Sequence, residues 1–131
     1  MISLVITSNG ASVYVSTILN GVQVLATSTN TIIATVPVVV PVQSAVTPDG
    51  DFVYVPSATT NTVVVIGTAS NTVVATVPVG PSPNEVDITP NGASAYVANL
   101  GSNTVSVIST ATNTVTATIT VGNVPLRLLI S

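Results

Sequence analysis

Short runs in which apolar and β-branched residues alternate with polar ones follow one another along the chain. In the last third of the chain these runs cover residues 85–89, 95–97, 104–108 and 114–121. Alternation with a period of two is the pattern of a half-buried strand. The intervening segments are rich in Asn, Gly, Pro, Ser and Thr, which favour tight turns. The pattern predicts a unit of four short antiparallel strands joined by hairpin turns.

The same unit occurs three times. Two landmarks recur at spacings of 40 and 42 residues: Asn9-Gly10, Asp49-Gly50 and Asn91-Gly92, and Tyr14, Tyr54 and Tyr96. This alignment divides a single repeat domain, residues 1–131, into repeats at about 2–38, 42–80 and 84–122. A further strand is predicted at 126–130, because these residues align with the first strand of each repeat.

Four strands within a period of roughly 40 to 45 residues are typical of a β-propeller blade. A parallel β-helix would need a shorter period, and the chain shows no such sub-period. A two-sheet sandwich is compatible with the length but does not require near-identical repeats. We therefore predict an all-β fold of three four-stranded antiparallel blades with repeats of 40 to 42 residues, plus one extra C-terminal strand, completed by oligomerisation.

Propellers close with roughly four to eight blades, so three blades predict a homo-oligomer. Two chains would form six blades and three chains would form nine, and we favour the homodimer over the trimer. The extra strand is expected either to replace the first residues of its own chain or to pair with the next chain. Its residues are the predicted assembly residues Leu126, Arg127, Leu128, Leu129 and Ile130.

Composition removes most chemistries. The chain has one Arg, no Lys, no His and no Cys, whereas a nucleic-acid-binding surface needs several basic groups. Without His or Cys there is no thiol catalysis, no His-based triad and none of the common zinc or haem ligands. The longest apolar run, residues 36–42, contains two prolines and is far shorter than the roughly 20 residues of a membrane-spanning helix. We expect no nucleic-acid partner, no transmembrane span, no cofactor and no enzymatic activity.

The acidic residues are the one basis in the sequence for an alternative function that depends on a metal ion. Glu85 and Asp87 lie two positions apart on one strand and so point to the same side of it. They are weak candidates for a metal site at the axis of a ring, although a solvated and inert role is the simpler interpretation. Asp49-Gly50-Asp51 resembles a fragment of a calcium loop, but such a loop needs six or more oxygen ligands, and we interpret this segment as a hairpin turn.

The last repeat carries a family resemblance. Tyr96-Val97-Ala98-Asn99, Ser102 to Ile108 and Thr112 to Val115 resemble the YVTN-type β-propeller repeat of surface-layer-like proteins. The first two repeats depart from it at Ser16-Thr17 and Pro56-Ser57, where the Ala-Asn ending is absent. The resemblance implies a blade and often a cell-surface setting, and it implies no shared catalytic residue.

The sequence therefore predicts a non-catalytic structural or binding scaffold that assembles with itself. The alternative is a metal-dependent binder or enzyme that uses acidic residues at the central axis. The first residues have no basic segment followed by a long apolar one, so this sequence is expected to contain no signal peptide. Either the protein is not exported by this route, or the sequence is that of a mature or trimmed product.

Overall fold

The computed structural model describes residues 3–122 and residue 130. Every regular element in this part of the chain is a β-strand, and none is a helix. The strands are β1 (Ser3–Ile6), β2 (Ser12–Thr17), β3 (Gly21–Ala26), β4 (Thr31–Val36), β5 (Ala45–Val46), β6 (Phe52–Ser57), β7 (Thr62–Gly67), β8 (Thr72–Pro78), β9 (Pro83–Ile88), β10 (Ser94–Asn99), β11 (Thr104–Ser109) and β12 (Thr114–Thr120).

These strands form three four-stranded sheets, in the order β1-β2-β3-β4, β5-β6-β7-β8 and β9-β10-β11-β12. All pairings within a sheet are antiparallel between consecutive strands. The predicted fold class, three four-stranded antiparallel repeats, is confirmed. We call the sheets blades 1, 2 and 3.

The first strand of the chain is among the described residues, whereas most of the predicted C-terminal strand is not. Residues 3–6 form β1, which pairs with β2 and so fills the first position of blade 1. The predicted extra strand lies outside the described residues except for Ile130, which belongs to no regular element. The expected pairing of that strand stays a prediction.

The turn between the first two strands of each blade is held by one recurrent side-chain arrangement. In blade 2 the Thr47 hydroxyl donates to Asp49 Oδ1 at 2.6 Å, and the Asp51 N–H donates to the same oxygen at 2.9 Å. Asn9 and Asn91 accept the equivalent bonds in the other blades. The structure thus places Asp49 and Asp51 in a hairpin turn, and Gly50 has the φ of +78° that such a turn requires.

Replacing Asp49 by asparagine is expected to change the free energy of unfolding by less than about 0.5 kcal/mol at neutral pH. The asparagine Oδ1 can accept both bonds, as Asn9 and Asn91 do. The bonds from Thr47 and from the Asp51 backbone hold the pKa of the Asp49 carboxyl below its usual value. The stability that the ionised Asp49 carboxylate contributes is present above the pKa of Asp49 in the unfolded state. It is lost as the pH falls through the pKa of Asp49 in the folded state. Urea unfolding at pH 7 and pH 3 measures both effects.

Gly50→Val is the matched contrast, because it places a β-branched residue at a positive φ and should cost about 1 kcal/mol or more. Equal unfolding midpoints for Asp49→Asn and Gly50→Val would show that this turn does not govern stability as described.

A register shift interrupts the pairing of the third and fourth strands in every blade. It lies between Val24 and Leu25, between Val65 and Ile66, and between Val107 and Ile108. At each shift one residue of the fourth strand has no partner opposite it, namely Ile33, Val74 and Thr116. This is the geometry of a β-bulge, which bends and twists the outer strand.

The core lies between the blades, where neighbouring sheets pack face to face. One cluster joins blades 1 and 2 and contains Tyr14, Val22, Val24, Val36, Val38, Val53, Val55, Val64 and Ile66. The second joins blades 2 and 3 and contains Tyr54, Val63, Val65, Val77, Val86, Ile88, Ala95, Val97 and Ile108. The segments that begin adjacent blades lie side by side and parallel, through the bridge between Gln43 and Glu85. This arrangement is that of consecutive blades around a common axis.

Candidate functional site: the two end faces

A tyrosine from one blade bonds to an asparagine of the next at both internal interfaces. The Tyr14 hydroxyl donates to Asn71 Oδ1 at 2.5 Å, and the Tyr54 hydroxyl donates to Asn113 Oδ1 at 2.6 Å. Both tyrosines are 1% exposed. Burial raises the pKa of both phenols, with a smaller contribution from the Asp49 carboxylate at Tyr54. Each interface therefore combines apolar packing with a directed hydrogen bond between a tyrosine and an asparagine side chain.

These pairs are directional along the chain. The donor lies on the second strand of a blade, and the acceptor lies in the turn between the third and fourth strands of the following blade. Each blade thus has a face that supplies the tyrosine, which we call the trailing face, and a face that supplies the asparagine, which we call the leading face. The trailing face of blade 3 and the leading face of blade 1 have no neighbouring blade among the described residues.

The trailing face of blade 3 exposes positions that are covered in the other blades. Ile119 is 45% exposed, whereas Val36 and Val77, which occupy its position in blades 1 and 2, are 1% and 2% exposed. Tyr96 is half-buried, in contrast to Tyr14 and Tyr54. The trailing face of blade 3 therefore has the residue types of an interface between blades, but no neighbouring blade among the described residues covers it.

The leading face of blade 1 shows the same contrast. Leu4 and Ile6 are 60% and 52% exposed, whereas Val86 and Ile88, at the same positions in blade 3, are 3% and 8% exposed. Leu25 is half-buried, although its counterparts Ile66 and Ile108 are fully buried. Asn30, the counterpart of the acceptors Asn71 and Asn113, is exposed. We define this leading face by Leu4, Ile6, Leu25 and Asn30.

A third exposed apolar patch lies on a rim of blade 1 and not on a blade face. Leu19 is 91% exposed and lines a groove of about 510 Å³ together with Ile18, Val39 and Val40. In blades 2 and 3 the corresponding turns carry mostly small or polar residues, for instance Thr59. This patch is therefore particular to blade 1 and independent of the repeat.

The candidate acidic residues lie together on β9. Glu85 is 5% exposed, and Asp87 is half-buried, with its Oδ1 accepting the Ile88 N–H at 2.9 Å. The described residues contain no group of three or more His, Cys, Asp or Glu side chains placed to hold a metal ion. The structure thus brings the two predicted carboxylates onto one strand and adds no third acidic ligand among the described residues.

The sequence indicated part of this site. The tyrosines stand out in the sequence because they recur with the repeat, whereas their asparagine partners stand out only as residues that favour turns. The structure supplies the missing spacing, since the donor and acceptor are separated by 57 and 59 residues in the two pairs. The recurring tyrosine of one blade thus bonds to the recurring turn asparagine of the next blade.

Solved structures resemble this chain closely. A chain of Kuenenia stuttgartiensis hydrazine synthase is 30% identical with a TM-score of 0.89, over 94% of this chain and 36% of that chain. A functionally unknown protein from Desulfotomaculum acetoxidans is 25% identical with a TM-score of 0.83, over 95% of this chain and 44% of that one. The WD40 repeats of RRP9 are 12% identical with a TM-score of 0.83, over 90% and 38%, a likeness that shows the fold alone.

These likenesses and the stacked four-stranded sheets define the class of the molecule, an all-β protein of the β-propeller type. No family profile matches the chain, and no curated protein matches it either. The chain spans less than half the length of the solved chains that it matches. No helix in the described part of the chain is long and apolar enough to cross a membrane.

Proposed function

We propose that the protein is a non-catalytic binding scaffold, a YVTN-type propeller segment that assembles with itself through its two end faces. The observation that carries this proposal is the exposure of three apolar side chains whose counterparts are buried at an internal interface. Leu4 and Ile6 correspond to the buried Val86 and Ile88, and Ile119 corresponds to the buried Val36 and Val77. Neighbouring exposed apolar side chains such as Leu4 and Ile6, two positions apart on one strand, are typical of a protein interaction site. A second copy offers the complementary surface, because its trailing face has the residue types that pack on a leading face inside the chain.

Ring closure supports the same proposal. Each chain contributes three blades among its described residues, so a closed dimer has six blades, within the range of roughly four to eight. A trimer of nine blades is the less favoured arrangement. The solved chains that resemble this one are more than twice as long and have room for more than three blades.

The assembly mass tests the proposal. Light scattering coupled to size exclusion is expected to report twice the chain mass of 13.1 kDa for the intact chain, and removal of residues 126–131 should weaken the dimer. Leu4→Ser combined with Ile6→Ser should shift the protein towards monomer, because both side chains lose apolar burial in the interface.

Leu19→Ser is the matched control, since it removes an even more exposed apolar side chain that lies off the blade faces. This variant should keep the mass of the intact chain. A folded monomer at micromolar concentration for the intact chain would refute self-assembly. Dissociation by Leu19→Ser alone would instead place the contact on the rim groove.

A further inference from the structure

We propose that the end faces are joined by a hydrogen bond from Tyr96 of one copy to Asn30 of another, which orients the copies head to tail. This inference rests on the proposed self-assembly and specifies its polarity and register. The same type of hydrogen bond already forms twice within one chain, between Tyr14 and Asn71 and between Tyr54 and Asn113. We extend it to the contact between chains.

The donor is presented in the same way in all three blades. Tyr96 lies opposite Val107 on β11, and Tyr14 and Tyr54 lie opposite Val24 and Val65 in the equivalent registers. Side chains at matching positions of matching strands point to the same face of the sheet. Tyr96 is therefore directed to the trailing face of blade 3, as the other two tyrosines are directed in their blades.

The acceptor turn is also preformed. Asn30 has a φ of 54°, as do Asn71 and Asn113. Its N–H donates to the carbonyl of Ala26 at 2.8 Å, the bond that Asn71 makes to Gly67 at 2.8 Å and Asn113 makes to Ser109 at 2.7 Å. Blade 1 thus holds Asn30 in the backbone conformation that accepts a tyrosine elsewhere in the molecule, and the turn needs no backbone rearrangement to accept one.

The pair selects one relative orientation of the copies. The open tyrosine lies only on the trailing face and the open turn asparagine only on the leading face, so two like faces cannot form this bond. In a closed dimer each copy gives its Tyr96 and receives at its Asn30, which produces two equivalent contacts. A polar pair within an apolar contact penalises other registers, because a misplaced hydroxyl would be buried without a partner.

Two substitutions remove one half of the pair each. Tyr96→Phe deletes the hydroxyl, and Asn30→Gly deletes the amide while retaining a residue that tolerates a positive φ. Loss of one such bond weakens association by roughly fivefold per contact, hence about 25-fold for a dimer with two contacts. Sedimentation equilibrium measures the Kd of each variant.

The internal pair gives matched controls. Tyr14→Phe and Asn71→Gly remove the same bond within one chain and should lower the melting temperature of the chain while leaving the dimer Kd within about twofold. If Tyr96→Phe and Asn30→Gly also lower only the melting temperature and leave the Kd unchanged, the inference is wrong although self-assembly holds. A monomeric wild-type chain would refute both.

Mixing the two variants separates a direct pair from two unrelated losses. In a dimer of one Tyr96→Phe copy and one Asn30→Gly copy, one contact loses both partners and the other contact keeps Tyr96 with Asn30 intact. The mixture should therefore dimerise about fivefold more tightly than either variant alone. A mixture that associates no better than the separate variants would exclude this pairing.

Discussion

Replacing Tyr54 by alanine is expected to lower the free energy of unfolding by about 4 kcal/mol, as for other large aromatic residues in a core. The ring is 1% exposed and packs in the cluster between blades 2 and 3, with Val63 and Ile108 among its members. Its hydroxyl bonds to Asn113 at 2.6 Å. The substitution therefore leaves a cavity at the interface and also removes the directed bond.

Tyr54→Phe separates these two losses, since it keeps the ring and deletes only the hydroxyl. We expect this variant to lose about 1 kcal/mol, the typical net value of one hydrogen bond. Urea unfolding at one fixed protein concentration compares both variants with the same concentration-dependent contribution from assembly. Equal losses for the two variants would mean that the hydroxyl, and not the packed ring, stabilises the interface.

Replacing Gly21 by alanine is expected to cost about 3 kcal/mol, since strain at a positive φ adds to overpacking. Gly21 has a φ of +71°, and an added Cβ would lie 2.5 Å from the Val36 carbonyl oxygen and 3.0 Å from the Val38 nitrogen. Both neighbours are backbone atoms, so relief of the clash requires movement of the segment that follows β4. This segment includes Val38, a member of the core between blades 1 and 2.

Gly10→Ala is the control, because Gly10 has a nearly identical φ of +72° but nothing within 4 Å of the added Cβ. It should cost about 1 kcal/mol, the backbone contribution alone. The difference between the two midpoints in urea thus measures the clash at Gly21. If Gly10→Ala and Gly21→Ala unfold at the same denaturant concentration, the close approach to Val36 carries no cost.

The fold could be predicted from the sequence because its signals are local. Asn91-Gly92 and its counterparts stand at turns that need a positive φ, and alternation between the turns defines the strands. The partners across blades could not be predicted in the same way. Which side chain meets Tyr54 depends on how two sheets stack, and nothing near Asn113 in the sequence encodes that stacking.

The alternation of apolar and polar residues does not predict the bulges, although two of them coincide with a feature of the sequence. The alternation over residues 114–121 predicts one uninterrupted strand, whereas the structure places an extra residue at Thr116. In the other blades two adjacent branched residues, Ile32-Ile33 and Val73-Val74, occupy the same position. Such a doublet breaks strict alternation and marks the point at which the side-chain period shifts.

The bulges bear on whether the outer strands can template fibril growth. Outermost strands present unpaired backbone groups that can template the addition of foreign strands, and many proteins guard them with lysine or other charges. β4, β8 and β12 carry no charged residue, and the entire chain has no lysine. The extra residues Ile33, Val74 and Thr116 break the flat, evenly spaced ladder that cross-β growth requires. In this chain, irregular backbone pairing thus takes the protective role at the outer strands that charged side chains take in many other proteins.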